Sequence, residues 1–281
     1  MVTGRQVLRW SLVGAVLAAL LAYGTVVAWF MANETTLVFA PDARQHDIPA
    51  DLPGRLERLP RTVGRAPGLL LVLRHESDDA PWVVFLHGNS ANVSTPANVT
   101  RYRQLHGLGV NVVAPEYPGF GDLGGKPSQD GASRAARDAW DWLRASGVPA
   151  RRIAIYGWSL GSGVAADLAS AVDERAVVLE GAFTGVDDRA RELYPWLPVR
   201  LMIRNPFMSR DRIAHIDSPL LLLHARDDAI IPFGHGERLL QAARAPKRLV
   251  TLTGGHIHPN VRDEATYLGA LRAFFAEVFG R

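Results

Sequence analysis

The chain has 281 residues, a formal net charge of +3 at pH 7 and no cysteine. Missing thiols exclude disulfides, a cysteine nucleophile and cysteine-ligated metals. The charge is spread thinly, with no basic run interleaved with aromatics, which speaks against a nucleic-acid partner.

Residues 1–10 carry Arg5 and Arg9, and 11–30 then contain no charge at all. Twenty helical residues span roughly 30 Å, the thickness of a bilayer's hydrocarbon core. A cleaved signal peptide competes with this reading, but its apolar core is shorter and ends at a small-x-small site, and no Ala-x-Ala occurs here. The expectation is an uncleaved transmembrane anchor over 11–31, with Tyr23 and Trp29 suited to the membrane interface. Glu34 and Asp42 precede Arg44, the first basic residue after the span. Positive-inside logic therefore leaves 1–10 in the cytoplasm and the rest of the chain on the extracytoplasmic, periplasmic side.

Residues 32–66 read as a connector, since Pro41, Pro49, Pro53 and Pro60 limit regular structure. From 67 to 281 short apolar runs alternate with longer amphipathic ones. Strands are predicted at 69–73, 82–86, 110–114, 153–156, 176–179, 220–224 and 248–252. Helices are predicted at about 95–107, 132–146, 160–171, 236–244 and 261–279. Apolar strands separated by helices mean an α/β domain with a mostly parallel, doubly wound sheet. One stretch, about 183–217, breaks the alternation and would form a short cap at the carboxyl end of the 176–179 strand, where such folds place their sites. Its Tyr194 and Trp196 are candidate substrate contacts, although plain packing would use the same residues.

Gly157-Trp158-Ser159-Leu160-Gly161 sits between a predicted strand and a predicted helix. A serine on such a turn is held in a strained conformation with its hydroxyl exposed, and the flanking glycines 157 and 161 leave room for neighbouring backbone. A serine hydroxyl needs a base within reach, and the base needs a carboxylate to fix its tautomer. Downstream, the 220–224 strand runs into Asp227 and Asp228, and the 248–252 strand runs into Gly254-Gly255-His256. An acid and a histidine thus fall at strand ends in the order this chemistry uses. Asp227, Asp228 and Glu180, which ends the strand at 176–179, are all open as the acid. His258 reads as a surface residue, and a His256/His258 metal pair lacks a third ligand. Backbone amides of Leu160 and of Asn89, in His87-Gly88-Asn89-Ser90, are candidate oxyanion donors. His87 reads as a structural group holding that loop. Gly119-Phe120-Gly121-Asp122-Leu123-Gly124 fits a dinucleotide-binding turn, but Pro118 and Lys126-Pro127 break the strand and helix it requires. It reads as a tight loop bordering the site, so no cofactor and no metal is expected.

With these pieces assembled, the chain resembles the α/β-hydrolase superfamily from about residue 69 to 279. It is most similar to the membrane-anchored serine-aminopeptidase-like branch, which includes acyl-protein-thioesterase-like and lipase-like members. The matching residues are Phe85-Leu86-His87-Gly88-Asn89, Tyr117-Pro118-Gly119-Phe120-Gly121, the serine motif, Ser218-Pro219-Leu220-Leu221-Leu222-Leu223-His224, Asp228 four residues before Pro232, and Gly255-His256. The resemblance implies Asp228 as the acid, giving a Ser159, Asp228, His256 triad. It departs from the family at Ala225, at Ile257-His258 after the histidine, and at Ser90-Ala91-Asn92 in the oxyanion loop. The implied function is hydrolysis of a carboxylic ester, thioester or amide through an acyl-enzyme. The implied partners are a small-molecule or acylated substrate and, through the N-terminal helix, membrane lipid. An acyltransferase, or a membrane-tethered binding module without activity, would use the same fold.

Overall fold

The structure is a computed structural model and describes residues 3–64, 66–244 and 246–280. It begins with a 36-residue helix, α1 (Gly4–Phe39), which is long and apolar enough to cross a membrane. Thr3 precedes it and donates its amide to Gln6 Oε1 at 3.0 Å. Ala40, in the left-handed region at φ 38°, ends it. The helix runs past the expected end of the anchor at residue 31, because no breaker intervenes before Pro41 and Glu34 and Phe39 bury one side of its last turns on the domain. Phe39 is fully buried between the rings of Phe120 and Phe207.

The rest is an eight-stranded sheet in the order β1-β2-β4-β3-β5-β6-β7-β8. Its strands are β1 (Arg55–Val63), β2 (Ala66–Arg74), β3 (Trp82–Leu86), β4 (Asn111–Glu116), β5 (Ile153–Trp158), β6 (Ala176–Glu180), β7 (Leu220–Ala225) and β8 (Lys247–Leu252). The first two pairings, β1 with β2 and β2 with β4, are antiparallel, and every later one is parallel. All seven predicted strands are present, and β1 is the addition. It lies inside the stretch read as a connector, which also carries the last turns of α1. Strand β1 escaped the sequence reading because it is an exposed edge, Arg-Leu-Glu-Arg-Leu-Pro-Arg-Thr-Val, with Pro60 where only an edge strand tolerates it.

Helices α2 (Pro96–His106) and α10 (Glu264–Phe279) cover one face of the sheet. On that face Tyr102, Tyr267 and Leu271 meet Phe85 and Tyr156. Helices α3 (Gln129–Ala145), α4 (Leu160–Ala169) and α8 (Gly234–Ala242) cover the other. The insertion expected near 183–217 holds three short helices, α5 (Val186–Leu193), α6 (Val199–Met202) and α7 (Ser209–Arg212). A further single turn, α9 (Pro259–Arg262), precedes α10. The parallel strands deliver their carboxyl ends to one rim, where open α/β sheets bind ligands.

Glu174, in the turn before β6, is only 7% exposed. One carboxylate oxygen accepts the Ser218 hydroxyl at 2.5 Å, and the other has no protein partner among the described residues. Burial pushes this carboxyl up to about 7, against the pull of the Ser218 bond. The folded state thus holds the proton more tightly than the unfolded one. That preference stabilises the fold below about 4.5, the ordinary value, and is lost as pH rises through about 7. Glu174→Gln should therefore raise stability by about 3 kcal/mol above neutral pH and change it little in acid. Chemical unfolding at both pH values measures this, and an equal shift at both would contradict it.

Candidate active site

Ser159 occupies the corner between β5 and α4, with φ 52° and ψ −121°. Such a conformation costs a non-glycine residue about 1–3 kcal/mol and survives only where the surroundings enforce it. Here the enforcement is packing. A Cβ on Gly157 would sit 2.3 Å from the Gly161 carbonyl oxygen, and one on Gly161 would sit 2.0 Å from that of Leu86. The two glycines let α4 start against the ends of β3 and β5. Ser159 is nearly buried, and its Oγ lies 2.7 Å from His256 Nε2.

His256 arrives on the loop after β8. Asp227 shapes that loop by accepting the amides of Gly254 and Gly255 at 3.0 Å, which holds its own carboxyl below the ordinary value. Asp227 therefore supports the loop and does not reach the imidazole. Asp228 does: its Oδ2 lies 2.7 Å from His256 Nδ1, and its Oδ1 accepts the amides of Ile230 and Ile231 at 2.9 and 2.8 Å. Burial works to raise this carboxyl, but the His256 bond, the His256 charge and the Ile231 amide outweigh it and hold it low. The three acids left open by sequence are thus separated by their partners.

Glu180, the third, belongs to a buried ion pair. Arg101, from α2, donates Nε to one Glu180 oxygen at 2.9 Å and Nη2 to the other at 2.5 Å. Tyr156 donates its hydroxyl to Glu180 at 2.6 Å. The guanidinium lies 3.9 Å over the Trp158 ring and donates to the Ile257 carbonyl at 3.2 Å, next to His256. Both side chains are about 1% exposed. Arg101→Met should leave Glu180 as an uncompensated buried charge and cost about 3–5 kcal/mol. Equilibrium unfolding reads this directly, and a loss under about 1 kcal/mol would refute the account.

Sequence reasoning missed Arg101, 79 residues before its partner, and gave His224 no role beyond its place in the matching run. His224 Nε2–H donates to the Ile231 carbonyl at 2.8 Å and lies 3.5 Å from Asp228. Burial pushes its pKa down, keeping the ring neutral behind the acid. The available signal was position: His224 ends the apolar strand β7, four residues before Asp228.

Across the serine, the loop after β3 is braced by His87. Its Nδ1–H donates to the Gly88 carbonyl at 2.9 Å, and Nε2 meets Glu116 Oε1 at 3.0 Å. Tyr117 stacks on the ring and donates its hydroxyl to the His87 carbonyl, so His87 is committed to the loop. The glycine-rich stretch after β4 is a closed turn, with the Gly119 amide bonded to Gly124 O and Gly121 to Asp42 O. It backs this loop through Tyr117 and Phe120 and opens no helix. Asn89 and Ser90 also bond the end of α1: the Asn89 side-chain amide donates to Val38 O at 3.3 Å and the Ser90 amide to Phe39 O at 3.1 Å. Among the described residues, neither the Asn89 nor the Leu160 backbone amide has a protein acceptor.

A cavity of about 290 Å³ opens beside Ser159, Asn89 and Leu160. Its walls are mostly apolar, with Phe30, Leu37 and Val38 from α1 and Ala190, Tyr194 and Met202 from the cap, and Glu34 and Arg189 also line it. Trp196 does not line the cavity; it turns away and packs on α1 against Tyr23 and Phe30. The physical reason is the unforeseen neighbour, since the helix offers two aromatic rings and Tyr23 donates its hydroxyl to Trp196 O at 3.0 Å.

His258 immediately precedes α9 and has no part in the cluster around His256. Among the described residues, one group has metal-ligand spacing, His75, Glu76 and His106. It lies at the opposite rim, where the His75 amide bonds Asn111 at the start of β4, and His75 Nδ1 already accepts the Ser77 amide.

A hydroxyl, an imidazole and a carboxylate in line, beside unpaired amides and an apolar cavity, are parts suited to acyl transfer. A model described as the alpha/beta hydrolase family matches residues 83–209. An uncharacterized protein of Mycobacterium tuberculosis is 38% identical over 199 residues, covering 70% of each chain. Lysophosphatidylserine lipase ABHD12 of Rattus norvegicus is 34% identical over 186 residues, covering 60% of this chain. The match spans 46% of that lipase, about half its length. Among solved structures, an esterase of Pyrococcus furiosus superposes with a TM-score of 0.70 over 85% of this chain and 98% of its own, at 18% identity. Est1E from Butyrivibrio proteoclasticus superposes with a TM-score of 0.66 over 79% of this chain and 100% of its own, at 16% identity. The strand order, the serine corner and the relatives agree, and the chain belongs to the alpha/beta hydrolase family.

Proposed function

We propose that this protein is a membrane-anchored serine esterase that hydrolyses carboxylic esters with an apolar acyl chain. The observation that carries the reading is the pair of 2.7 Å contacts that links Ser159 Oγ to His256 and His256 to Asp228. Ser159 Oγ attacks the ester carbonyl carbon while His256 Nε2 takes its proton. Asp228 accepts Nδ1–H and balances the imidazolium. The former carbonyl oxygen, now an anion, lies against the amides of Asn89 and Leu160, the latter at the positive start of α4. Collapse breaks the bond to the alcohol oxygen, which leaves with the proton from His256, and the acyl group stays on Ser159. Water then adds with His256 as base, and the acid departs as Ser159 regains its proton.

The mostly apolar walls around Ser159 favour an acyl chain, since the charged lining residues Glu34 and Arg189 already hold protein partners. The 34% identical lysophosphatidylserine lipase acts, by its name, on an acylated substrate, which points the same way. Helix α1 would hold the enzyme in the membrane, and Arg5 and Arg9 before the uncharged run favour an extracytoplasmic domain. The test is covalent capture. A fluorophosphonate probe should form one adduct, located on the Ser159 peptide by mass spectrometry; an adduct elsewhere, or none, refutes the proposal.

A further inference from the structure

The cap does not stand clear of the anchor. Val27, Phe30 and Met31 of α1 pack on Leu197, Val199 and Met202 of the cap, and the Phe30 and Tyr194 rings lie 4.9 Å apart. Tyr23 reaches Trp196 from deeper in the uncharged run. It precedes Phe30 by seven residues, which places it about 10 Å further along the helix axis. If 11–30 fills the hydrocarbon core, the Trp196 side of the cap lies at the depth of acyl chains, within the roughly 5–10 Å that interfacial elements reach. Its outer surface mixes exposed apolar residues, Leu193 and Trp196 half exposed and Leu201 83% exposed, with Arg200 and Arg204, whose long side chains can reach the headgroups.

Glu34 holds the two parts together. It is the first charged residue after the uncharged run and is 4% exposed. One carboxylate oxygen takes the amides of Arg204 and Asn205 at 3.1 and 3.0 Å, and both take the Asn205 side chain. The cavity beside Ser159 runs between the surfaces this strut joins, with helix residues Phe30, Leu37 and Val38 as one wall.

We propose that the cap is seated in the lipid leaflet beside the anchor, and that the cavity between cap and α1 is a portal bringing a single acyl chain from the bilayer to Ser159. The proposal rests on Ser159 as the nucleophile. The ester group stops at the serine, the chain lies against the helix wall, and the polar head stays at the surface.

The chain has no cysteine, so a single introduced thiol can be labelled alone. Full-length Leu201→Cys carrying a nitroxide, in phosphatidylcholine vesicles, should be relaxed by oxygen and shielded from an aqueous nickel reagent. Ser146→Cys, on the exposed turn after α3, should show the reverse. A label at 201 as open to nickel as one at 146 overturns the seating. A label shielded from both reagents means that a second copy covers the cap, and overturns it too. For the portal, Leu37→Trp should lower the ratio of laurate to butyrate ester kcat/KM by about tenfold, with Leu37→Phe between it and the parent. An unchanged ratio in both variants overturns the portal while leaving the esterase intact. Absence of ester hydrolysis in the parent, with no adduct on Ser159, overturns the serine reading and the portal with it.

Discussion

Ser159→Ala is expected to lower kcat for a p-nitrophenyl ester by about a million-fold, equivalent to about 8 kcal/mol of transition-state stabilisation. The loss is this large because, in the proposed mechanism, the serine, histidine and aspartate act as one unit, and without the hydroxyl the base has nothing to activate. A residue of activity should persist, since the cavity and the Asn89 and Leu160 amides still bind the reacting group. The fold should not suffer. The Ser159 side chain makes one hydrogen bond, to His256, and alanine adopts the corner no worse than serine. Stopped-flow and steady-state hydrolysis, with circular dichroism as the folding control, decide the matter. A variant that keeps more than about a hundredth of the parent rate would remove Ser159 from the chemistry.

Asp228→Asn should cost about ten-thousand-fold in kcat, or about 5.5 kcal/mol. Oδ1 is occupied by the Ile230 and Ile231 amides, so the new amide nitrogen would take the place of Oδ2. It would then donate to His256 Nδ1, where the carboxylate accepts. That exchange leaves the imidazole proton on Nε2, facing Ser159, and the ring can no longer act as base. His224 cannot substitute, because its Nε2–H is committed to the Ile231 carbonyl. Because the Asp228 carboxyl is held below its ordinary value, its contribution to stability is present at neutral pH and is lost as pH falls through that lowered value. A decrease of less than about tenfold in the asparagine variant would reject Asp228 as the orienting acid.

Much of the fold could be read from residue order, because a strand buried on both faces is a short unbroken apolar run. Leu220-Leu221-Leu222-Leu223 admits few other readings, and the residue types at the ends of such runs then pick out a site. The features that escaped lack that property. Strand β1 carries arginine at every third position, Arg55, Arg58 and Arg61, and shows its edge to solvent. Arg101 sits on the buried face of a polar-looking helix, and only its tertiary partner Glu180 explains it. The same holds for the far end of α1: Leu37 and Val38 read as the start of a linker and became a wall of the cavity. Trp196 read equally as a substrate contact or as packing, and it packs on the helix.

The edges of the sheet bear on how the molecule behaves in company. On a membrane surface, copies share a plane and meet far more often than the same number free in solution. An open strand edge is then a standing invitation to pair with a neighbour. Both edges here carry deterrents. Strand β1 presents Arg55, Arg58 and Arg61 with Pro60, which has no amide to offer, and β8 begins with Lys247 and Arg248. Exchanging Pro60 and these basic residues for β-branched ones would leave the active site untouched and turn a crowded membrane into a template for sheet-to-sheet aggregation.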